Sequence, residues 1–116
     1  MKKSFVAMSC LALVLSTGAL FGQGKGKGKG AAGDVAKGKE TFESTCAGCH
    51  NSDSAEVKMG PGLKGLTKRP KLVNGSEMSD ANITKLLNEG GNGMPAFGDV
   101  LTAPEKADVL AFLKSL

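Results

Sequence analysis

The run Cys46-Ala47-Gly48-Cys49-His50 is where this sequence can do chemistry. Two thiols one helical turn apart lie on the same side of the backbone, and a histidine follows at once. Thiols so placed can add to two vinyl groups along one edge of a porphyrin. The imidazole beside them then offers a nitrogen to the iron, and Cys-x-x-Cys-His is the attachment pattern of c-type haem. Ala47 and Gly48 are small, which predicts close approach of the ring to the backbone between the thiols. The competing chemistries fit less well. A Cys46–Cys49 disulfide closes a tight, strained loop, and a thioredoxin-like dithiol requires a βαβ context that is missing. A structural zinc site needs four protein ligands, whereas beyond residue 22 the chain holds two Cys and one His. A catalytic thiol beside His50 would lack an orienting partner at any motif-like spacing.

Iron held by one histidine keeps a sixth position, and three methionines beyond the N-terminal segment could fill it: Met59, Met78 and Met94. Met59 follows His50 too closely for a chain that must cross to the other face of a ring. Met78 directly precedes a helix cap, in polar company. Met94 stands in a Gly-rich loop, followed by Pro95, where the glycines let the backbone wrap closely and the proline stiffens the exit. A methionine in a loop is by itself more often packing than ligand. Beside a Cys-x-x-Cys-His motif, Met94 reads as the thioether partner of His50.

Three helices are predicted to position these groups. The first covers about Asp34 to Cys46, with Asp34 as N-cap and Val35, Gly38, Phe42 and Cys46 on one face. Gly38 costs that helix ~1 kcal/mol relative to Ala, a cost that close approach of another backbone would justify. The second covers Asp80 to about Glu89, capped by Ser79, striped by Ile83, Leu86 and Leu87, and stopped at Gly90-Gly91. The third opens on Thr102-Ala103-Pro104-Glu105, a capping box with proline in the first turn, and repeats Val109, Phe112, Leu113 and Leu116 at helical spacing. Gly/Pro-rich loops, 59–66 and 90–98, lie between them. No stretch alternates apolar β-branched residues, so the fold class is all-α. Length allows one domain. With five Phe, no Trp and no Tyr among 116 residues, the apolar core is thin for its size unless something staples it.

Residues 1–22 read as an export signal or an uncleaved anchor: Lys2 and Lys3, an apolar run from Phe5 to Phe21, and small residues at Ala19 and Gly22 where cleavage can fall. Cys10 lies inside that run, without a good lipoprotein cleavage box around it. Residues 23–33, in which Gly alternates with Lys from Gly24 to Gly30, read as a flexible linker. The formal net charge is +4, but removing Lys2, Lys3, Lys25, Lys27 and Lys29 from 15 basic residues leaves 10 against 11 acidic ones. The folded part, 34–116, is therefore near neutral. That argues against a nucleic-acid-binding face, and no dominant electrostatic face is read from its linear order. The single His excludes any metal site needing two imidazoles.

Residues 34–116 resemble a class I cytochrome c of the small bacterial monohaem kind. The resemblance rests on Cys46-Ala47-Gly48-Cys49-His50, Gly60-Pro61-x-Leu63-x-Gly65-Leu66, Gly93-Met94-Pro95-Ala96-Phe97 and the flanking helices, in that order. It implies three main helices and long loops wrapped around one covalently bound haem c. The first and last helices would cross near Gly38, Phe42 and Phe112, and the Pro61 carbonyl would accept a hydrogen bond from the far nitrogen of His50. Cys46 and Cys49 would bind the haem, with His50 and Met94 as axial ligands. Leu63, Leu66, Ile83, Leu87, Phe97 and Leu110 are candidates for an apolar surround. Family members often hold a haem propionate with Trp or Tyr; this chain has neither, and Arg69, Lys68 or backbone amides could substitute, against the plainer reading of Arg69 and Lys68 as solvated loop charges.

The implied function is single-electron transfer by an extracytoplasmic, periplasmic carrier that is not an enzyme. Its partners would be redox proteins: a dehydrogenase, a bc-type complex or an oxidase. The alternatives are a tethered cytochrome subunit dedicated to such a complex, membrane-associated if the N-terminal segment is retained, and a peroxidase-like or gas-binding haem protein.

Overall fold

A computed structural model describes residues 32–116. The expected signal segment 1–22 and nearly all of the expected linker 23–33 lie outside the described residues. Three helices follow in order, α1 (Val35–Thr45), α2 (Asp80–Glu89) and α3 (Ala103–Lys114), with one 3₁₀ turn at Leu66–Lys68. Among the described residues, extended pairing is limited to two isolated bridges, Lys71 with Glu77 and Gly91 with Met94. The all-α expectation holds.

Each helix starts where its local chemistry dictates. The Asp34 carboxylate accepts from the amides of Ala36 and Lys37 at 2.9 and 3.2 Å. Ser79 accepts from the Asn82 amide at 3.2 Å. Thr102 and Glu105 form the reciprocal capping box, the Glu105 carboxylate accepting from the Thr102 amide at 2.8 Å. These contacts satisfy amide donors that a helix start otherwise leaves without partners.

Packing is dominated by α1 against α3. A Cβ on Gly38 would overlap the Asp108 carbonyl of α3 and come within 2.9 Å of the Phe112 Cβ. Glycine is kept there because a second backbone passes at that point. One turn on, the Phe42 and Phe112 rings sit 5.3 Å apart, tilted by 56°, within the favourable range for aromatic pairs. Gly33, which the sequence does not single out, is pressed in the same way against the Ala107 carbonyl. The Asp34 amide also donates to the Asp108 carboxylate at 2.6 Å, fixing the start of α1 on α3. At the other end of α3 the Leu116 carbonyl accepts from the Gly65 amide at 2.9 Å. That bond ties the end of the chain to the long loop between α1 and α2.

Candidate functional site

The C-terminus of α1 turns directly into the motif. Cys46 caps the helix, and its carbonyl accepts from the amides of both Cys49 and His50 at 3.0 Å. The turn brings the two thiols and the imidazole round one point of the chain. Cys46 is buried and Cys49 half-buried. Burial, and secondarily the nearby Cys49, pushes the Cys46 thiol above its ordinary range. The Cys49 sulfur lies 3.8 Å from the Met59 sulfur.

His50 is held from the loop that follows. Its Nδ1 lies 2.8 Å from the Pro61 carbonyl oxygen, which can only accept, so Nδ1 carries the proton and donates. The Nε2 lone pair is thereby left free. The loop reaches this position because the Gly60 amide donates to the Cys49 carbonyl at 2.8 Å and the Leu63 amide to Asn51 at 2.7 Å. Gly60 lies against the imidazole itself, and any Cβ there would overlap the ring. Arg69 braces the far side of the loop, donating to the Gly62 and Lys64 carbonyls at 2.6 and 3.2 Å.

Met94 is presented by a tight turn. The Gly91 and Met94 amides and carbonyls exchange bonds of 2.9 and 3.0 Å across Asn92 and Gly93, both of which have positive φ, 52° and 88°. That is the backbone pattern of a type I′ turn, for which Asn-Gly is a favoured dipeptide. The dipeptide is the sequence signal that would have located this turn.

Cys46, Cys49, His50 and Met94 all lie in the wall of one cavity of about 440 Å³. Of the eleven buried apolar side chains among the described residues, all but Leu101 and Phe112 also line this cavity. The core of the domain is therefore a shell around a space. Among the described residues, the charged members of its wall are Arg69 and Lys71.

One expectation needs correcting. Leu110 is outside the wall and instead faces a groove between α2 and α3, with Thr84 and Asn88. Lys68 is the solvated loop charge of the plainer reading, exposed and outside the wall, whereas Arg69 is part of the wall together with Lys71, which the sequence does not mark. Ala47 and Gly48 are not in the wall, and a Cβ on Gly48 would meet nothing within 4 Å.

A c-type haem fits these residues. The space is of the size in which proteins bury ligands, its wall is apolar, and two thiols sit at its edge. An imidazole with a pinned Nδ1 faces a glycine that leaves room for it. Residues 33–113 match the family described as cytochrome c oxidase, cbb3-type, subunit III. The chain belongs to the class I cytochrome c family.

Cytochrome c6 of Rippkaea orientalis is 39% identical over 82 residues, covering 71% of this chain and 70% of that protein. The crystal structure of cytochrome c6 from the diatom Phaeodactylum tricornutum superposes with a TM-score of 0.58 at 28% identity, covering 72% of this chain and 93% of that one. A cytochrome bc1 complex cytochrome c subunit of Corynebacterium diphtheriae is 35% identical over 83 residues, 71% of this chain but only 27% of that protein. Membership makes this cytochrome an electron carrier with one covalent c-type haem and its iron, and not an enzyme.

Proposed function

We propose that the chain is an exported one-electron carrier whose haem is attached through Cys46 and Cys49 and ligated axially by His50 and Met94. The observation that carries this reading is the 2.8 Å contact between His50 Nδ1 and the Pro61 carbonyl, which fixes the tautomer a metal-binding imidazole requires. A bound haem supplies a single iron that alternates between the ferrous and ferric states. Met94 contributes a thioether, which favours the softer ferrous ion and raises the potential relative to a second imidazole. With His50 it also closes the iron to small substrates. The apolar side chains of the wall disfavour the extra positive charge of the ferric state. Arg69, a cation in the wall, suits the carboxylates that a haem carries. The N-terminal segment 1–22 provides export to the periplasm, where its redox partners are a dehydrogenase, a bc-type complex or an oxidase.

A second reading, a cytochrome subunit dedicated to one respiratory complex, is favoured by the description of the matching family and by the Corynebacterium relative. The two readings part on whether the N-terminal segment stays in the membrane fraction.

The test is an optical spectrum of the full chain expressed with a c-haem maturation system. Sharp c-type bands that survive denaturation, together with a weak near-infrared band in the oxidised protein that disappears in Met94→Ala, are expected. Haem bands without the near-infrared band would withdraw Met94. Absence of covalent haem would sink the reading.

A further inference from the structure

Two Asn-Gly dipeptides occur in the chain, Asn74-Gly75 and Asn92-Gly93, and such a pair can react with itself. The glycine nitrogen can attack the asparagine Cγ, because no Cβ on the glycine stands in the way. The other three asparagines precede Ser52, Ile83 and Glu89, whose side chains crowd the same approach. The structure treats the two Asn-Gly pairs differently.

At Asn74 both reacting groups are engaged. The Gly75 amide donates to the Leu72 carbonyl at 2.9 Å. The Asn74 Oδ1 accepts from the Ser76 amide at 3.1 Å and from the Ser76 hydroxyl at 2.6 Å, an Asx turn that fixes the side chain. The Leu72 amide closes the loop around them by donating to the Ser76 carbonyl at 2.9 Å. At Asn92 neither reacting group has a hydrogen-bond partner among the described residues. The carboxamide is exposed, and a Cβ built on Gly91 or Gly93 would meet nothing within 4 Å. Among the described residues Asn92 is also the one non-glycine with positive φ, a sparsely populated conformation that its surroundings must maintain. The two bonds between Gly91 and Met94 close this turn.

We propose that Asn92 is a self-modifying site, which converts to aspartate and isoaspartate with water as its co-reactant, and that the conversion loosens Met94. The Gly93 nitrogen bonds to Asn92 Cγ, its proton passes through solvent to the departing amide, and ammonia leaves a succinimide behind. Water then opens either carbonyl–nitrogen bond of that ring. Opening at Cγ restores the ordinary backbone and leaves aspartate. Opening at the main-chain carbonyl routes the backbone through Cβ and leaves isoaspartate. No electron is transferred, and each product carries a carboxylate where a neutral amide stood.

Both changes reach the site. Asn92 lines the cavity with Gly91, Gly93 and Met94, so the new charge lies at the edge of the redox site and favours the ferric state. In isoaspartate the main chain gains a carbon within the two-residue loop that sets the pairing of Gly91 with Met94, and loop length fixes that geometry. The loosening of Met94 rests on the axial role proposed above; the modification itself does not.

The test ages full-length holoprotein in warm, mildly alkaline buffer and maps its peptides by mass, with chromatography separating aspartate from isoaspartate. Four hydrogen bonds restrain the Asn74 loop and two restrain the Asn92 turn. Each additional bond that must open slows attack about five-fold, so Asn92 should convert at least about ten-fold faster than Asn74. The reduction potential should fall, and the near-infrared band should fade in step with isoaspartate. Asn92→Gly, which keeps a dipeptide suited to this turn and cannot cyclise, should hold its band throughout. Fresh Asn92→Asp should show a lowered potential with the band retained, separating the charge from the altered backbone.

Conversion of Asn74 first or at an equal rate, or no conversion of Asn92, would overturn the site. Isoaspartate at position 92 with band and potential unchanged would overturn the effect on Met94, as would equal fading in Asn92→Gly. A parent that lacks the near-infrared band before ageing would overturn the axial role of Met94 and the loosening with it, while the peptide map still decides the modification.

Discussion

Replacing Gly60 by alanine probes the one contact on which the imidazole's orientation depends. An ideal Cβ at this position would stand 2.8 Å from His50 Nδ1 and 3.0 Å from Nε2, where ordinary contact is 3.4–4 Å. The ring must therefore retreat by roughly 0.5 Å or more, or the loop must lift by as much. Either movement stretches the 2.8 Å bond to Pro61 past the range in which N–H···O bonds hold. The lost hydrogen bond costs about 1 kcal/mol. Overpacking at a site bounded by backbone adds ~1–3 kcal/mol, for a total of about 2–4 kcal/mol. With a urea dependence of about 1–2 kcal/mol per molar, the unfolding midpoint of the holoprotein should fall by about 2 M, followed by visible absorbance. Gly48→Ala is the matched control, because a methyl there meets nothing within 4 Å and its φ is not positive. Its midpoint should stay level or rise slightly. A Gly60→Ala protein that unfolds within about 0.3 M of the parent would refute the claim that this glycine exists to admit the imidazole.

At the helix crossing, Gly38→Ala should lower stability despite alanine's better helix propensity, by about 2 kcal/mol or more, because the added methyl meets the Asp108 carbonyl. Thermal unfolding reads this, and a rise in Tm would contradict it. Phe42→Ala removes a nearly fully buried ring that also walls the cavity. It should cost ~3–5 kcal/mol, enough to prevent accumulation of folded protein, while Phe42→Leu should fold with a lowered midpoint. The capping box predicts a pH dependence. Hydrogen bonds from the Thr102 amide, and then from its hydroxyl, hold the Glu105 carboxyl below the usual carboxylate range. A depressed value means the stabilisation is complete above that range and lost as pH falls through and below it. Parent protein should therefore exceed Glu105→Gln in Tm at pH 7, and the gap should close on acidification. A gap that widened toward acid would reverse the assignment.

The parts of the fold that were legible in the sequence are those whose causes lie within a few residues. Asp34, Ser79 and the Thr102–Glu105 box cap their helices through amides two or three positions away. The thiol–histidine run is likewise written in five consecutive residues. Gly38 was legible by half: its cost to a helix is local, but the Asp108 carbonyl that justifies it comes from 70 positions away. Gly33 and Gly60 were not legible, since neither sits in a helix where its presence would look expensive. Leu110 shows the limit of periodicity, which marks a residue as half-buried without saying which of two hollows it faces.

The distribution of packing says what the haem does for the fold as well as for the chemistry. α1 and α3 cross at Gly38, Phe42 and Phe112 with backbone against backbone, and this half is built of protein alone. α2 makes no helix–helix contact with α1 and touches α3 only lightly. Its buried Ile83 and Leu87 face the same cavity as Phe42 and Cys46 of the opposite side. The two sides are thus related through what lies between them. Apolar surface counts toward stability only when it is removed from water, and the wall of an unfilled cavity keeps part of that surface wet or without contacts. A flat apolar macrocycle held in this cavity would supply partner atoms to the nine buried side chains that line it. This explains how a domain with three Phe, at positions 42, 97 and 112, and no larger aromatic holds together. The proposed attachment at Cys46 and Cys49 would then also be a folding device: with the cofactor bound to α1's end, α2 and the loop 57–76 would have a surface to close upon.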